Sequence, residues 1–206
     1  MTPHRLSLRP AVAAALLLAL SPLAAPAQEG AALRVRGEIA SFDGQVLTVA
    51  TREGATALVE LAPGARVVGV AEASLADIGP GSYLGVASLP LEDGRDAALE
   101  VLIFPEAMAG TGEGSFPWDL EPDSTMTNAT VASVDQVNGD ELTLTWEGES
   151  RRVLVPEGAP IVTFAEAAPG DLTPGKTVFV PGHAGPGDIV TTETVVVETD
   201  GVEPPM

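Results

Sequence analysis

Apolar and polar residues alternate with a period of two along much of this chain. That period places successive side chains on opposite faces of a strand, with one face buried. The clearest stretch is Leu142 to Trp146: Leu142, Leu144 and Trp146 share one side, Thr143 and Thr145 the other. Val46 to Thr51, Ala57 to Leu61, Leu99 to Phe104 and Thr194 to Glu198 read the same way. Turn dipeptides fall between such stretches, among them Asp43-Gly44, Pro63-Gly64, Pro80-Gly81, Asp93-Gly94, Asn138-Gly139, Glu147-Gly148 and Pro174-Gly175. Helical periodicity is nearly absent beyond the first residues. The 22 Gly and 18 Pro suit many short strands with tight connections.

The pattern is written twice. Ala71-Glu72-Ala73 returns as Ala165-Glu166-Ala167, an offset of 94, and Pro80-Gly81, Val86 and Val101–Ile103 return at the same offset as Pro174-Gly175, Val180 and Val195–Val197. Nearer the start, Ile39–Asp43 matches Val131–Asp135 at an offset of 92. Each copy runs through a long first strand, a tight turn and two more strands. A short helical turn follows (Ser74–Ile78, Ala167–Leu172), then two closing strands. This order predicts an all-β protein of two tandem OB-like small β-barrels, residues 33–104 and 127–200. A seven-stranded sandwich is the alternative, but each copy is short for one. Residues 105–126 lack periodicity and are expected to form an irregular spacer, in which Phe116 and Trp118 pack against a barrel. Residues 201–206 read as a frayed tail.

The first 27 residues change the picture of compartment. Arg5 and Arg9 precede the uncharged apolar run Ala11–Leu20, and Ala25-Pro26-Ala27 resembles a small-x-small cleavage site, which together read as a signal peptide of an exported protein. The run is short for a membrane-spanning helix. Removing this leader takes away two Arg and no acid, leaving eight basic residues against 29 acidic and a net charge of −21. Such a chain repels nucleic acid and anionic membranes and attracts cations or basic surfaces. It has no Cys, so disulfides, thiol chemistry and Cys-ligated zinc are excluded.

Several motifs carry candidate chemistry. Gly170-Asp171-Leu172-Thr173-Pro174-Gly175-Lys176-Thr177 matches the phosphate-loop expression, but Val178-Phe179-Val180 after it reads as a strand. A phosphate loop needs a helix there, so nucleotide is not an expected partner. Ser115 follows a Gly-rich turn, yet a nucleophilic serine needs a histidine and an orienting acid, and His183, the one His beyond the leader, sits in a Pro/Gly-rich segment that reads as a loop. Asp135, Asn138, Asp140 and Glu141 gather oxygen donors around one turn, so calcium or another divalent cation is the conceivable cofactor there. No catalytic set converges. Phe116, Trp118 and Asp119 in the spacer are the candidate contact residues for a protein or small ligand, whereas Trp146, on an alternating apolar face, belongs to the core.

The Gly37-Glu38-Ile39 start, the Leu75–Gly81 segment and the Leu99–Ile103 closing strand resemble DUF5666, a family of small exported bacterial β-barrels. Gly110–Gly114, Pro117-Trp118-Asp119 and Ser124–Thr130 resemble one subgroup of it. The resemblance implies a bacterial, periplasmic or secreted protein and supplies no catalytic residue. Some relatives carry a metal-transport permease label, which the absence of several spanning helices in this sequence does not support. The expectation is therefore a non-enzymatic exported binding or adaptor protein. A cation-binding accessory protein for metal uptake or envelope metal homeostasis is the second reading, and a hydrolase the third.

Overall fold

The computed structural model describes residues 31–135 and 140–205; the leader and Asn138 lie outside them. The described chain is all-β. Its strands are β1 (Ala32–Phe42), β2 (Val46–Thr51), β3 (Thr56–Glu72), β4 (Tyr83–Pro90), β5 (Asp96–Ile103), β6 (Gly114–Pro117), β7 (Thr125–Asp135), β8 (Glu141–Trp146), β9 (Glu149–Leu154), β10 (Ile161–Glu166), β11 (Thr177–Ala184) and β12 (Val190–Val197). Every alternating stretch noted in the sequence falls within one of these strands, apart from the end residues Phe104 and Glu198.

The strands close in an order that the tandem arrangement does not anticipate. In one ring β1, β2 and β3 form an antiparallel meander, β3 pairs in parallel with β12, and β12 and β11 lead back antiparallel to β1. This closed five-stranded barrel takes three strands from the first copy and two from the second. The remaining strands repeat the order with the copies exchanged: β7, β8 and β9 pair in turn, β9 meets β5 through a short parallel contact, and β5 and β4 return to β7. The registers obey the sequence offset. Val67 pairs with Val195, and Ile161, the counterpart of Val67, pairs with Val101, the counterpart of Val195. Glu38 pairs with Thr177, and their counterparts Thr130 and Tyr83 pair with each other. The two copies are interleaved, and ranges 33–104 and 127–200 mark repeats of sequence rather than separately closed barrels.

Two apolar interiors follow from this exchange. Val35, Val49 and Val59 of the first copy meet Val178, Val180, Val195 and Val197 of the second. Leu84, Val86 and Val101 of the first meet Val131, Leu142, Leu144 and Val153 of the second. The rings are joined where β3 and β10 pair antiparallel about Val70 and Phe164, which occupy equivalent positions of the repeat. Val70, Leu102, Val162, Phe179 and Val196 form a third buried cluster at this junction. Gly37 has a steric reason: a Cβ there would run into the carbonyl oxygen of Ala50 on β2.

The predicted short helical turns are present as single 3₁₀ turns, Leu75–Asp77 and Pro169–Asp171. Each is held by the carboxylate at its end: Asp77 accepts from the Ser74 amide and hydroxyl, both at 2.8 Å, and Asp171 accepts from the Ala168 amide at 2.8 Å. The phosphate-loop lookalike lies on the second turn and runs directly into β11 without a helix.

Two expectations are corrected. The spacer is not irregular throughout, since β6 pairs with β7 from Gly114↔Asn128 to Pro117↔Thr125; four residues are too few for alternation to reveal a strand. The tail is not frayed over its described length. Thr199 and Val202 exchange backbone hydrogen bonds of 2.9 and 3.1 Å, Val202 packs on the junction cluster, and Pro204 and Pro205 are buried.

Interleaving makes a prediction for the chain cut in its spacer. Fragments 28–110 and 111–206, mixed in equal amounts, should recover the intact chain's circular dichroism as a one-to-one complex, while neither alone gives a folded monomer. A folded monomeric 28–110 would show that the exchange is not required. Replacing Gly37 with Ala should destabilise the intact chain by about 1–3 kcal/mol in urea unfolding, the usual cost of forcing extra volume into a packed site.

Candidate functional site

On β1, period two sends Val35 into the barrel and Arg34 and Arg36 to its outer surface. The neighbouring strand β11 places Phe179 opposite Arg36 and Pro181 opposite Arg34. The spacer leaves β6 directly above this face. Trp118 donates its amide to Ser124 O at 2.8 Å, and the Ser124 hydroxyl donates to Glu121 O at 2.7 Å, which fixes the loop that carries Trp118 and Asp119.

The Arg34 guanidinium carbon sits 4.0 Å from the centre of the Trp118 ring, and that of Arg36 lies 5.5 Å from Trp118 and 5.2 Å from Phe179. Trp118 also packs at 6.1 Å on Phe116 and 6.2 Å on Phe179. Cation–π contacts of this kind contribute about 0.5–2 kcal/mol each, more where water is excluded. Arg36, only 8% exposed, donates from its Nη2 to Asp119 at 2.7 Å, and Arg34 lies 3.6 Å from the other Asp119 oxygen. Neither Arg36 Nε nor Trp118 Nε1 has a hydrogen-bond partner among the described residues. Burial would push the Asp119 carboxyl up, but the Arg36 hydrogen bond and the charges of Arg36 and Arg34 outweigh it and hold the carboxyl below its ordinary value. Trp118 and Asp119 thus latch the spacer onto β1, a larger structural share than their reading as contact residues assigned them.

Beside the latch lies an open groove of about 650 Å³. Leu33, Arg34, Ala62, Trp118, Phe179, His183 and Thr191–Thr194 line it. His183 is on β11, not in a loop as Pro181 and Gly182 suggested, and its side chain is exposed on this groove. The floor is hydrogen-bonded: the buried Thr192 hydroxyl donates to the Pro181 or Thr194 carbonyl oxygens at 2.6 and 2.8 Å, where β12 slips register against β3. Trp118 is therefore both a strut and a wall. Phe116, half-buried on β6, supports it from behind.

The oxygen donors proposed for a cation do not converge. Asp135 and Glu141 face each other across the β7–β8 pair. The Glu141 carboxylate is taken by Arg95 at 3.1 Å and Arg152 at 3.7 Å, and Asp140 is exposed. Among the described residues no group of three or more His, Cys, Asp or Glu could hold a metal ion. Asn138, the fourth donor, lies outside them.

A buried polar network on the second ring had no sequence signal. Ser88 donates to Asp96 at 3.1 Å, and Arg151 Nη1 reaches Asp96 at 3.1 Å and the Ser115 and Thr125 hydroxyls at 3.4 Å. Ser115 also shares a 3.0 Å hydrogen bond with Thr127. Its hydroxyl thus ties β6 to β7. Arg151 and Asp96 are 55 positions apart, and strand exchange brings them together. No helix among the described residues is long and apolar enough to cross a membrane.

The class defined so far is an all-β protein with a closed five-stranded barrel, additional strands and an aromatic-walled groove. Compared with family models, curated proteins and solved structures, the chain matches none.

Asp119 gives the latch a pH signature. A depressed carboxyl contributes stability that is fully present above the unfolded carboxyl's pKa of about 4 and is lost as pH falls through the lower folded value. Asp119→Asn should therefore cost stability at pH 7 and lose less than the parent on acidification below pH 4. Asp119 is 49% exposed but Arg36, which the change leaves without its anion, is 8% exposed, so the cost should fall between the roughly 1 kcal/mol of an exposed pair and the about 3–5 kcal/mol of a fully buried one. Thermal unfolding of both proteins from pH 7 to pH 3 reads the difference.

Proposed function

We propose that this chain is a non-enzymatic binding or adaptor protein of the bacterial envelope, exported by its leader to the periplasm or secreted, and that the groove walled by Trp118 is its contact site. The observation that carries this reading is a largely apolar groove beside a latched aromatic residue. Such concavities with a few fixed polar groups are the usual form of a ligand site. The polar groups here are the Arg34 guanidinium, His183 and Thr191. The rest of the aromatic set is locked by packing, so a ligand would meet a preorganised wall and immobilise few side chains on binding.

Each ring is read as an OB-like barrel. The first runs β1-β2-β3-β12-β11 with the 3₁₀ turn before β11, and the second runs β7-β8-β9-β5-β4 with its turn before β4. This is the five-stranded order of an OB-like barrel, and barrels of that kind bind ligands across a strand face; their use here is by analogy of fold. The DUF5666-like motifs and the exported leader point the same way. The cation-binding reading keeps its support from net charge and from the permease-labelled relatives, while Glu141 is paired with Arg95 and Arg152.

Ala62→Trp tests the groove. Ala62, on β3, lines it and is not a member of the Arg34–Trp118 stack. In a fragment-library screen by ligand-observed NMR, hits on the parent protein should shift the Trp118 indole and His183 resonances. Ala62→Trp should weaken them by about tenfold or more while thermal stability holds. Hits that bind both proteins equally would place the contact site elsewhere.

A further inference from the structure

The two copies differ at one strand edge. On β7, residues Thr125–Asn128 pair with β4 on one side and with β6 on the other. Their counterparts in the first copy are Leu33–Arg36 of β1. There β11 covers one side, but β2 pairs with β1 only from Gly37 onward, so no strand covers the other side of Leu33–Arg36 among the described residues. The backbone direction follows from the bonds present. Ile39 donates to Lys176 O and Ala184 donates to Ala31 O, both at 2.9 Å, so odd-numbered residues face β11. Arg36 O accepts from Arg52 N at 3.1 Å, so even-numbered residues face away. The amides and carbonyls of Ala32 and Arg34 therefore point to the uncovered side. An exposed strand edge is a template for a further strand.

We propose that this edge takes an extended peptide segment of another protein, antiparallel to β1, with an acidic side chain opposite Arg34. The inference rests on the groove being the binding site, since Leu33 and Arg34 belong to both. The orientation comes from the repeat, because β6 occupies the equivalent edge of β7 antiparallel, with Phe116 opposite Met126, the counterpart of Arg34. An apolar residue opposite Leu33, which is 39% exposed, would cover it. The charge comes from Arg34, Arg36 and Arg52, gathered on this edge of a chain of net charge −19 and only partly offset by Asp119 and Glu53. A second copy of the chain would bring the same arginines face to face, and like charges directly opposite are unfavourable.

The probe is a capped synthetic octapeptide alternating Val and Glu, with a Val–Lys peptide as control, titrated into the full-length protein and followed by amide NMR and fluorescence anisotropy. The Val–Glu peptide should bind at least tenfold tighter than the control and slow exchange of the Ala32 and Arg34 amides. Arg34→Ala, which keeps the amide, should weaken binding severalfold. Arg34→Pro should abolish it, since a proline is tolerated on an uncovered edge but removes the donor. If Arg34→Pro does not fold, protection of the parent's amides decides. The proposal is overturned if millimolar peptide leaves those amides unprotected, if the two peptides bind equally, or if the amides are already protected in a self-associated dimer. Equal weakening by Arg34→Ala and Arg34→Pro would end strand pairing but leave the groove reading standing.

Discussion

The antiparallel pairing of β3 with β10 about Val70 and Phe164 is the interaction on which the remainder of this fold depends. It joins equivalent segments of the two copies, so it acts as a local two-fold axis within a single chain. Past that crossing each copy delivers its last two strands to the other copy's ring. The apolar faces of β1, β2 and β3 are therefore buried only when β11 and β12 arrive from the far end of the chain, and those of β7, β8 and β9 only when β4 and β5 are in place. Closure removes most open edges in the first ring through the long β3–β12 pairing, and in the second through a short β5–β9 contact.

Period-two alternation located the strands because one face of each is buried, and the repeat at offsets 92 and 94 was visible in the same residues. What alternation does not encode is the partner. Val67 could pair with Val101 of its own copy or with Val195 of the other, and both present a valine at the same register. Leu102 and Val196, or Ile103 and Val197, are equally interchangeable. Exchanged and unexchanged pairings bury nearly the same side chains, so the tandem expectation and the observed interleaving share one hydrophobic pattern. The aromatic character of Phe116 and Trp118 was legible, and so was their packing against a barrel. The Arg36–Asp119 pair was not, because it joins residues 83 positions apart, and nothing local to Asp119 names Arg36 as its partner. In the Asp135–Glu141 segment the sequence shows neighbouring oxygen donors but not that Glu141 meets Arg95, just before β5, and Arg152 on β9.

The copies diverge where the structure has a surface to specialise. Met126 and Asn128 of β7 lie under β6, with Asn128 Nδ2 donating to Gly112 O at 3.0 Å. Their counterparts Arg34 and Arg36 instead face the tip of the same spacer, where Trp118 and Asp119 complement their charge. One segment thus does two jobs on related strands: as β6 it completes an edge of the second ring, and as a loop it caps a face of the first. That division leaves one edge covered and the equivalent one open.

Electrostatics explains why the open edge can persist in an acidic chain. An arginine buried without a partner would be costly, and its pairing with Asp119 repays that cost only because the aromatic rings of Trp118 and Phe179 occupy the space where water would otherwise compete. Holding Arg36 there keeps positive potential on β1 while most of the remaining surface is negative. Negatively charged copies of the chain repel one another over most approaches, and at this edge they would meet arginine against arginine. The same charge distribution that opposes pairing of two copies at this edge is the one that an acidic strand would complement.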